Sequence, residues 1–335
     1  MHRLRDSIVR IALGCVVPFA VVGCAAGAAA PPQVAMAQSA GSPSTVLAAA
    51  RGVRPPSHPL ARGAGWLSPA ARSCKTKLYV SSFRLGYVSI YCTKGRNQAP
   101  IGQITSGING PEGDATDAQG NLYVTNTDAN TVTEYVPGTL TPSFTYTSGL
   151  SAPAGVTVDG KGNVYVSSIS SGAVEVFPQG VNSVTLTLTG FTLPIDVALD
   201  KANDVYVTTY NSSFSGGEII EFPPGSTQGT NLGITTKGPG GIELDRAGNI
   251  VTADQTLPGV LVFPPGHTSP SHTFGQNASD PDPVRLAPTE KRVYVGDAVG
   301  NAVYVYSDPG GALVDTITDG IDGPNGLALD PSAPQ

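Results

Sequence analysis

Charge is scarce in this sequence: only 13% of its 335 residues are Asp, Glu, Lys or Arg. The balance is acidic, at a formal −6, and loss of a leader carrying Arg3, Arg5, Arg10 and Asp6 would leave 16 basic against 24 acidic residues, or −8. An acidic surface repels phosphate backbones and anionic headgroups, so nucleic acid and anionic lipid are disfavoured as partners. Histidine is nearly missing: His58 falls in an Ala/Pro/Gly-rich stretch, and His267 and His272 fall in a turn and an outer strand of one repeat. Neither a histidine metal cage nor a Ser-His-Asp relay is supported. Cysteine is equally sparse, and no Cys-x-x-Cys spacing points to zinc or redox chemistry. The apolar run 11–22 is too short to span a bilayer comfortably. Abundant instead are Gly and Pro, with 41 and 29 residues, which suit many short strands and tight turns rather than long helices.

The basic start and the apolar run read as an export signal over residues 1–24. It ends in Val21-Val22-Gly23-Cys24, which resembles the bacterial lipobox and implies a lipid on Cys24. The alternative is cleavage after Ala35-Met36-Ala37, releasing a soluble protein. Either route exports the chain, to a lipid-anchored place in the cell envelope or to the medium, with the lipid as its only membrane contact. Residues 25–65 are rich in Ala, Gly, Pro and Ser without an apolar period and read as a flexible tether. Cys74 precedes one strand-like run and Cys92 ends the next, so a hairpin would bring them together. In an oxidising compartment a disulfide follows, with two free thiols as the alternative.

Residues 66–335 are repetitive. Gly120-Asn121-Leu122-Tyr123-Val124 returns as Gly162-Asn163-Val164-Tyr165-Val166, and in related form around Tyr79, Tyr206, Val251 and Tyr294. The steps between these six anchors are 44, 42, 41, 45 and 43 residues, a period that signals propeller blades. A Pro opens a strand before each anchor from the second on (Pro111, Pro153, Pro194, Pro239, Pro283), and Pro324 opens one more after the last. After each anchor an aromatic closes the following strand (Tyr91, Tyr135, Phe177, Phe222, Phe263, Tyr306). Each unit is therefore strand A (Pro-x-Gly-Val-x-Val-Asp), strand B (Asn-x-Tyr-Val), strand C (Val-x-Val-Phe) and a Thr-rich strand D. Trp66 is expected to pack against this array as an N-terminal clasp.

The chain enters at a B strand and leaves with an A strand, so residues 327–329 are predicted to pair beside residues 78–80. The fold class is then all-β, a six-bladed β-propeller whose first blade is closed by the C-terminal strand, with no free sheet edge at the join. A monomer is expected.

This pattern resembles the NHL-repeat propellers, carried most fully by Pro153-Ala154-Gly155-Val156-Thr157-Val158-Asp159 with Gly162-Asn163-Val164-Tyr165-Val166. These are turn and core residues, so the resemblance implies a fold and says little about activity. Blades five and six depart from it, at Val251 and at Ala287-Pro288-Thr289-Glu290.

Alternating strand direction puts the loops before A and between B and C on one face, which is expected to be the binding face. One loop there is longer: anchor to aromatic is 12 residues in five blades, but 16 from Tyr206 to Phe222. Its Tyr210, Asn211 and Phe214 read either as an exposed binding loop or as a drifted loop whose aromatics fold back on the blade. At the starts of the A strands, Glu112, Asp196, Arg285 and Asn325 interrupt small or apolar positions and are candidates to converge on the central channel. Glu112, Asp196 and Asn325 have the oxygen chemistry for a calcium-like divalent cation. The alternative is that they bond backbone or line a wet tunnel, with Arg285 neutralising a carboxylate. The senescence-marker and gluconolactonase propellers are similar in six-bladed form and in Glu, Asn and Asp ligands, although here the Asn comes last; that resemblance implies a metal-dependent lactonase or esterase. The leading expectation is a non-catalytic binding or scaffold module without a cofactor, taking a protein, glycan or small molecule on the face that carries the B–C loops.

Overall fold

The computed structural model describes residues 63, 65–257, 259–308 and 311–330. The chain divides into two units, Met1–Val53 and Arg54–Gln335, and all described residues belong to the second. The signal segment, Cys24 and nearly all of the tether lie outside the described residues.

Six antiparallel sheets make a six-bladed propeller, and the predicted closure is present. The C-terminal strand Pro324–Leu329 is the A strand of blade 1, pairing Leu78 with Leu329, Tyr79 with Ala328 and Val80 with Leu327. Blade 1 carries a fifth strand, Gly65–Leu67, laid on the outer edge of its D strand, Gly102–Ile104. A single-turn helix, Ala70–Ser73, follows this clasp strand, and a Cys74–Cys92 disulfide ties its end to the C strand Tyr87–Cys92. Trp66 belongs to the clasp as a pairing residue, but its indole is 39% exposed rather than packed.

The repeat residues hold the blades together. All six C-strand aromatics are at most 2% exposed. They fill the seams between sheets; Tyr79, Ile90 and Ile104 of blade 1, for instance, pack with Leu122, Val124 and Tyr135 of blade 2. In blades 2 to 5 the A-to-B turn is closed by its Asp: Asp159 Oδ1, for instance, accepts the N–H groups of Lys161 and Asn163, both at 2.8 Å, while Oδ2 takes the Asn163 amide at 2.7 Å. This is the self-closing Asx geometry that makes Asp-x-x-Gly-Asn a turn.

The Gly of Pro-x-Gly answers to packing around the channel. At Gly326 a Cβ would lie 2.5 Å from the Glu112 carbonyl oxygen of the next blade, so neighbouring A strands touch backbone to backbone. Every A strand shifts register after its first residues, and in blades 2 to 4 a B-strand hydroxyl fills the irregularity. Thr125 Oγ1 accepts the Gly113 N–H and donates to the Ala154 carbonyl of blade 3 at 2.6 Å; Ser167 and Thr208 repeat this onto Ile195 and Gly240. One hydroxyl thereby bonds two consecutive A strands, and the ring of blades is stitched at its hub.

One position needs correction. The A strand of blade 6 is Pro281–Leu286, opening at Pro281 and not at Pro283. Pro281 faces Asp297 as Pro239 faces Asp254, so Pro283 takes the place that Gly has elsewhere. Two prolines spaced by one residue blurred the phase.

Candidate functional site

Aligned on the proline of each A strand (Pro111, Pro153, Pro194, Pro239, Pro281, Pro324), the candidate residues fall at different depths. Glu112 and Asn325 occupy the second position, Asp196 the third, normally Gly, and Arg285 the fifth. Arg285 thus does not start its strand, and the structure separates the four into two pairs. Asn325 Nδ2 donates to Glu112 Oε1 at 3.1 Å, linking blades 1 and 2. Deeper, Arg285 Nη1 donates to Asp196 Oδ2 at 3.1 Å, its Nε lies 3.4 Å from Glu243 Oε1, and its Nη2 donates to the Asp114 carbonyl at 3.2 Å. A single guanidinium, 9% exposed, therefore braces blades 2, 4, 5 and 6. Burial works against its charge, but Asp196 and Glu243 outweigh that and hold its pKa above the ordinary value.

Asp196 is committed to this brace. Its Oδ1 accepts the Val197 N–H at 2.9 Å, and its Oδ2 takes the Ile242 N–H at 3.1 Å as well as Arg285. Glu112, Asp196 and Asn325 therefore do not present one ligand set: a cation using Asp196 would sit against a guanidinium that already holds that oxygen. The residues do not fit the channel metal that the lactonase resemblance implies.

Two channel carboxyls escaped the sequence reading. Asp114 is fully buried at the fourth A-strand position, where the other blades have Val156, Val197, Ile242, Val284 and Leu327. Its Oδ1 accepts Ser81 Oγ at 2.6 Å and its Oδ2 the Ser81 N–H at 3.1 Å. Burial pushes its pKa up to about 7, against the opposing pull of Ser81 and Arg285. Glu243 shares the fifth position with Arg285 in the neighbouring blade; burial raises it to about 7 too, with Arg285 opposing and Asp196 assisting. The signal was available: an acid at an aliphatic repeat position, and opposite charges at one position of consecutive blades. Below this brace, on the face of the A–B turns, Glu243, Arg285 and Thr157 line a recess of about 220 Å³.

On the opposite face, the B–C loop of blade 4 folds back on the sheet. Tyr210 is the last residue of its B strand and only 4% exposed, so of the two readings of this loop the ring follows the one in which it folds back on the blade. Phe214, partly buried at φ +54°, packs on it with ring centroids 6.4 Å apart. Asn211 Oδ1 accepts the Ser215 N–H at 3.0 Å and so closes the loop, leaving Ser212, Ser213 and Ser215 exposed.

Neighbouring loops are pinned by B-strand carboxylates. Asp254 accepts the N–H groups of Lys237, Gly238, Thr256 and Leu257, at 2.7 to 3.0 Å. Asp297 does the same for Ser279, Asp280, Val299 and Gly300, at 2.8 to 3.2 Å. Charge on this face is one-sided: Glu112, Asp128, Asp254, Asp280, Asp282, Asp297, Asp319 and Asp322 stand against Arg84 and Lys237. Arg84 is spent on Asp322 at 3.1 Å.

No family model and no curated protein matches the chain. Solved structures do. A chain of the nidogen/laminin complex superimposes with a TM-score of 0.64 at 17% identity, covering 77% of this chain and 100% of that one. A chain of hydrazine synthase from Kuenenia stuttgartiensis gives 0.58 at 13%, covering 84% and 94%. At such identities the likeness is one of fold: the protein is a β-propeller with propeller neighbours.

Proposed function

We propose that this chain is an exported, non-catalytic binding module of the NHL type, whose partner docks on the face carrying the B–C loops. The observation that carries the reading is the combination of one-sided acidic charge with loops held rigid by Asp254 and Asp297. A pre-organised surface loses little entropy on docking, and a negative field draws in and orients a basic partner. The partner that fits is a protein segment rich in Lys or Arg. Membership of one propeller neighbour in a two-protein complex, nidogen with laminin, supports the use of this fold as a docking platform. The Cys74–Cys92 bridge supports export, since such bonds persist in oxidising compartments.

The test is a panel of immobilised peptides, basic, neutral and acidic, probed with the purified chain at two salt concentrations. Basic peptides should retain the protein, more weakly at high salt, and the Asp128→Lys/Asp319→Lys double variant should lose retention. Equal retention by all peptides, or an unchanged double variant, would overturn the proposal.

A further inference from the structure

Away from the hub lies a cleft of about 670 Å³ between the N-terminal clasp and blades 1 and 2, floored by the interblade seam. We propose that it binds a small amphipathic anion, a carboxylate or sulfonate carried on a single apolar chain or ring. Its size falls within the range of small-molecule sites. Its floor is apolar, with Ile90, Ile104 and Leu122, and Leu67 and Val136 stand at its rim as two of the few large hydrophobic side chains left exposed, at 37% and 44%.

Polar groups aimed into the cleft give the ligand its head. Tyr79 is 6% exposed and lines the cleft, yet its hydroxyl makes no hydrogen bond among the described residues. Tyr91 and Tyr135 of the same two blades, by contrast, are satisfied: Tyr91 donates to the Asp319 carbonyl at 2.6 Å and Tyr135 to the Ser106 carbonyl at 2.7 Å. Ser68 Oγ, also on the cleft wall, is buried without a partner. A buried hydroxyl without a partner, as at Ser68, is costly, and a ligand head supplies what it lacks, while the Tyr79 hydroxyl adds a donor not used elsewhere among the described residues.

Charge decides the sign of that head. Arg72, in the last turn of the clasp helix, is exposed and in no ion pair among the described residues; Lys77 lies 3.5 Å from Asp330. The lining thus carries two positive charges and no acid, one of them partnered by Asp330 behind it, on a chain whose overall charge is −6. The walls are preset: the clasp strand is paired with the D strand, the Ser68 N–H bonds the Ile101 carbonyl at 2.8 Å, and the disulfide fixes the far end. A ligand entering such a cleft leaves little to reorganise.

The chain has one tryptophan, Trp66, next to Leu67 on the rim, so its fluorescence reports on this place alone. The full chain is titrated with monomeric decanoate and with decylammonium, by calorimetry and by Trp66 emission. Decanoate should bind one to one with a change in emission, and decylammonium about tenfold more weakly. Arg72→Glu, on the surface, should weaken decanoate by about tenfold or more, the loss of one charge-assisted contact worth about 1.4 kcal/mol. Tyr79→Phe, which keeps the packing, should weaken it several-fold. Binding of acid and amine within a factor of two, decanoate affinity unchanged in both variants, or no binding up to millimolar decanoate would each overturn the proposal. Should Tyr79→Phe fail to fold, Arg72→Glu and the amine decide alone.

Discussion

Asp114→Asn should stabilise this protein at pH 8 and leave it nearly unchanged at pH 4. In the folded state Asp114 is fully buried and its pKa is raised to about 7, chiefly by burial, from an ordinary 3.8. The group therefore prefers its proton when folded, and stability from this source is complete below about pH 4, falls as pH rises, and levels off above about 7. A difference of about three pH units at 1.36 kcal/mol each amounts to about 4 kcal/mol, an upper bound because hydration or local relaxation would relieve part of it. Asparagine is the near-isostere of the protonated acid: its carbonyl can accept the Ser81 N–H, and its amide can donate to Ser81 Oγ. Charge counting around the brace agrees, since Arg285 and Asp196 neutralise each other and leave Asp114 and Glu243 without a second cation. The assay is urea denaturation of both proteins at pH 4.5, 6, 7 and 8, followed by circular dichroism. The stability difference should open with pH along a titration curve centred between the two pKa values. A difference that stays flat across this range would refute the reasoning, and so would wild type gaining stability over the variant as pH rises.

Asp204→Asn should stabilise by about 1 kcal/mol, read from the thermal midpoint, because the other Asp-x-x-Gly-Asn turns bond the Asn amide to the Asp at 2.6 to 2.7 Å. Here a carboxylate sits there instead, raised in pKa by burial and by Asp200 and Glu221. Gly326→Ala should cost about 1–3 kcal/mol or prevent folding, since its Cβ meets the Glu112 backbone oxygen at 2.5 Å, whereas Gly138→Ala, with open space but positive φ, should cost about 1 kcal/mol. Reducing the Cys74–Cys92 bridge, or replacing both cysteines by Ser, should cost about 3 kcal/mol for a loop of 18 residues, measured by denaturation with and without reductant.

Much of each blade was legible because its reasons are local. Asp159 closes its own turn, Pro153 opens its own strand, and Phe177 lies on the buried side of an alternating strand whatever the neighbouring blade. Phase failed only where the sequence offered two prolines, Pro281 and Pro283, and pairing with Asp297 chose between them. Tyr210 shows the limit of reading loops: Gly, Ser and Asn around an aromatic suggest exposure, but strand B continues through it and buries the ring.

Blade number, strand order within each blade and the closing of blade 1 by the last strand were determined by the sequence alone, because a repeat with in-phase turn residues admits few ways of pairing. Which polar side chains meet was decided only by the ring. Arg285, Asp196, Glu243 and Asp114 come from four blades and share no local pattern, and their contacts depend on the radius and tilt at which the A strands pack. The cleft beside Tyr79 likewise exists only once a clasp from the N-terminal side is laid against a seam closed from the C-terminal side.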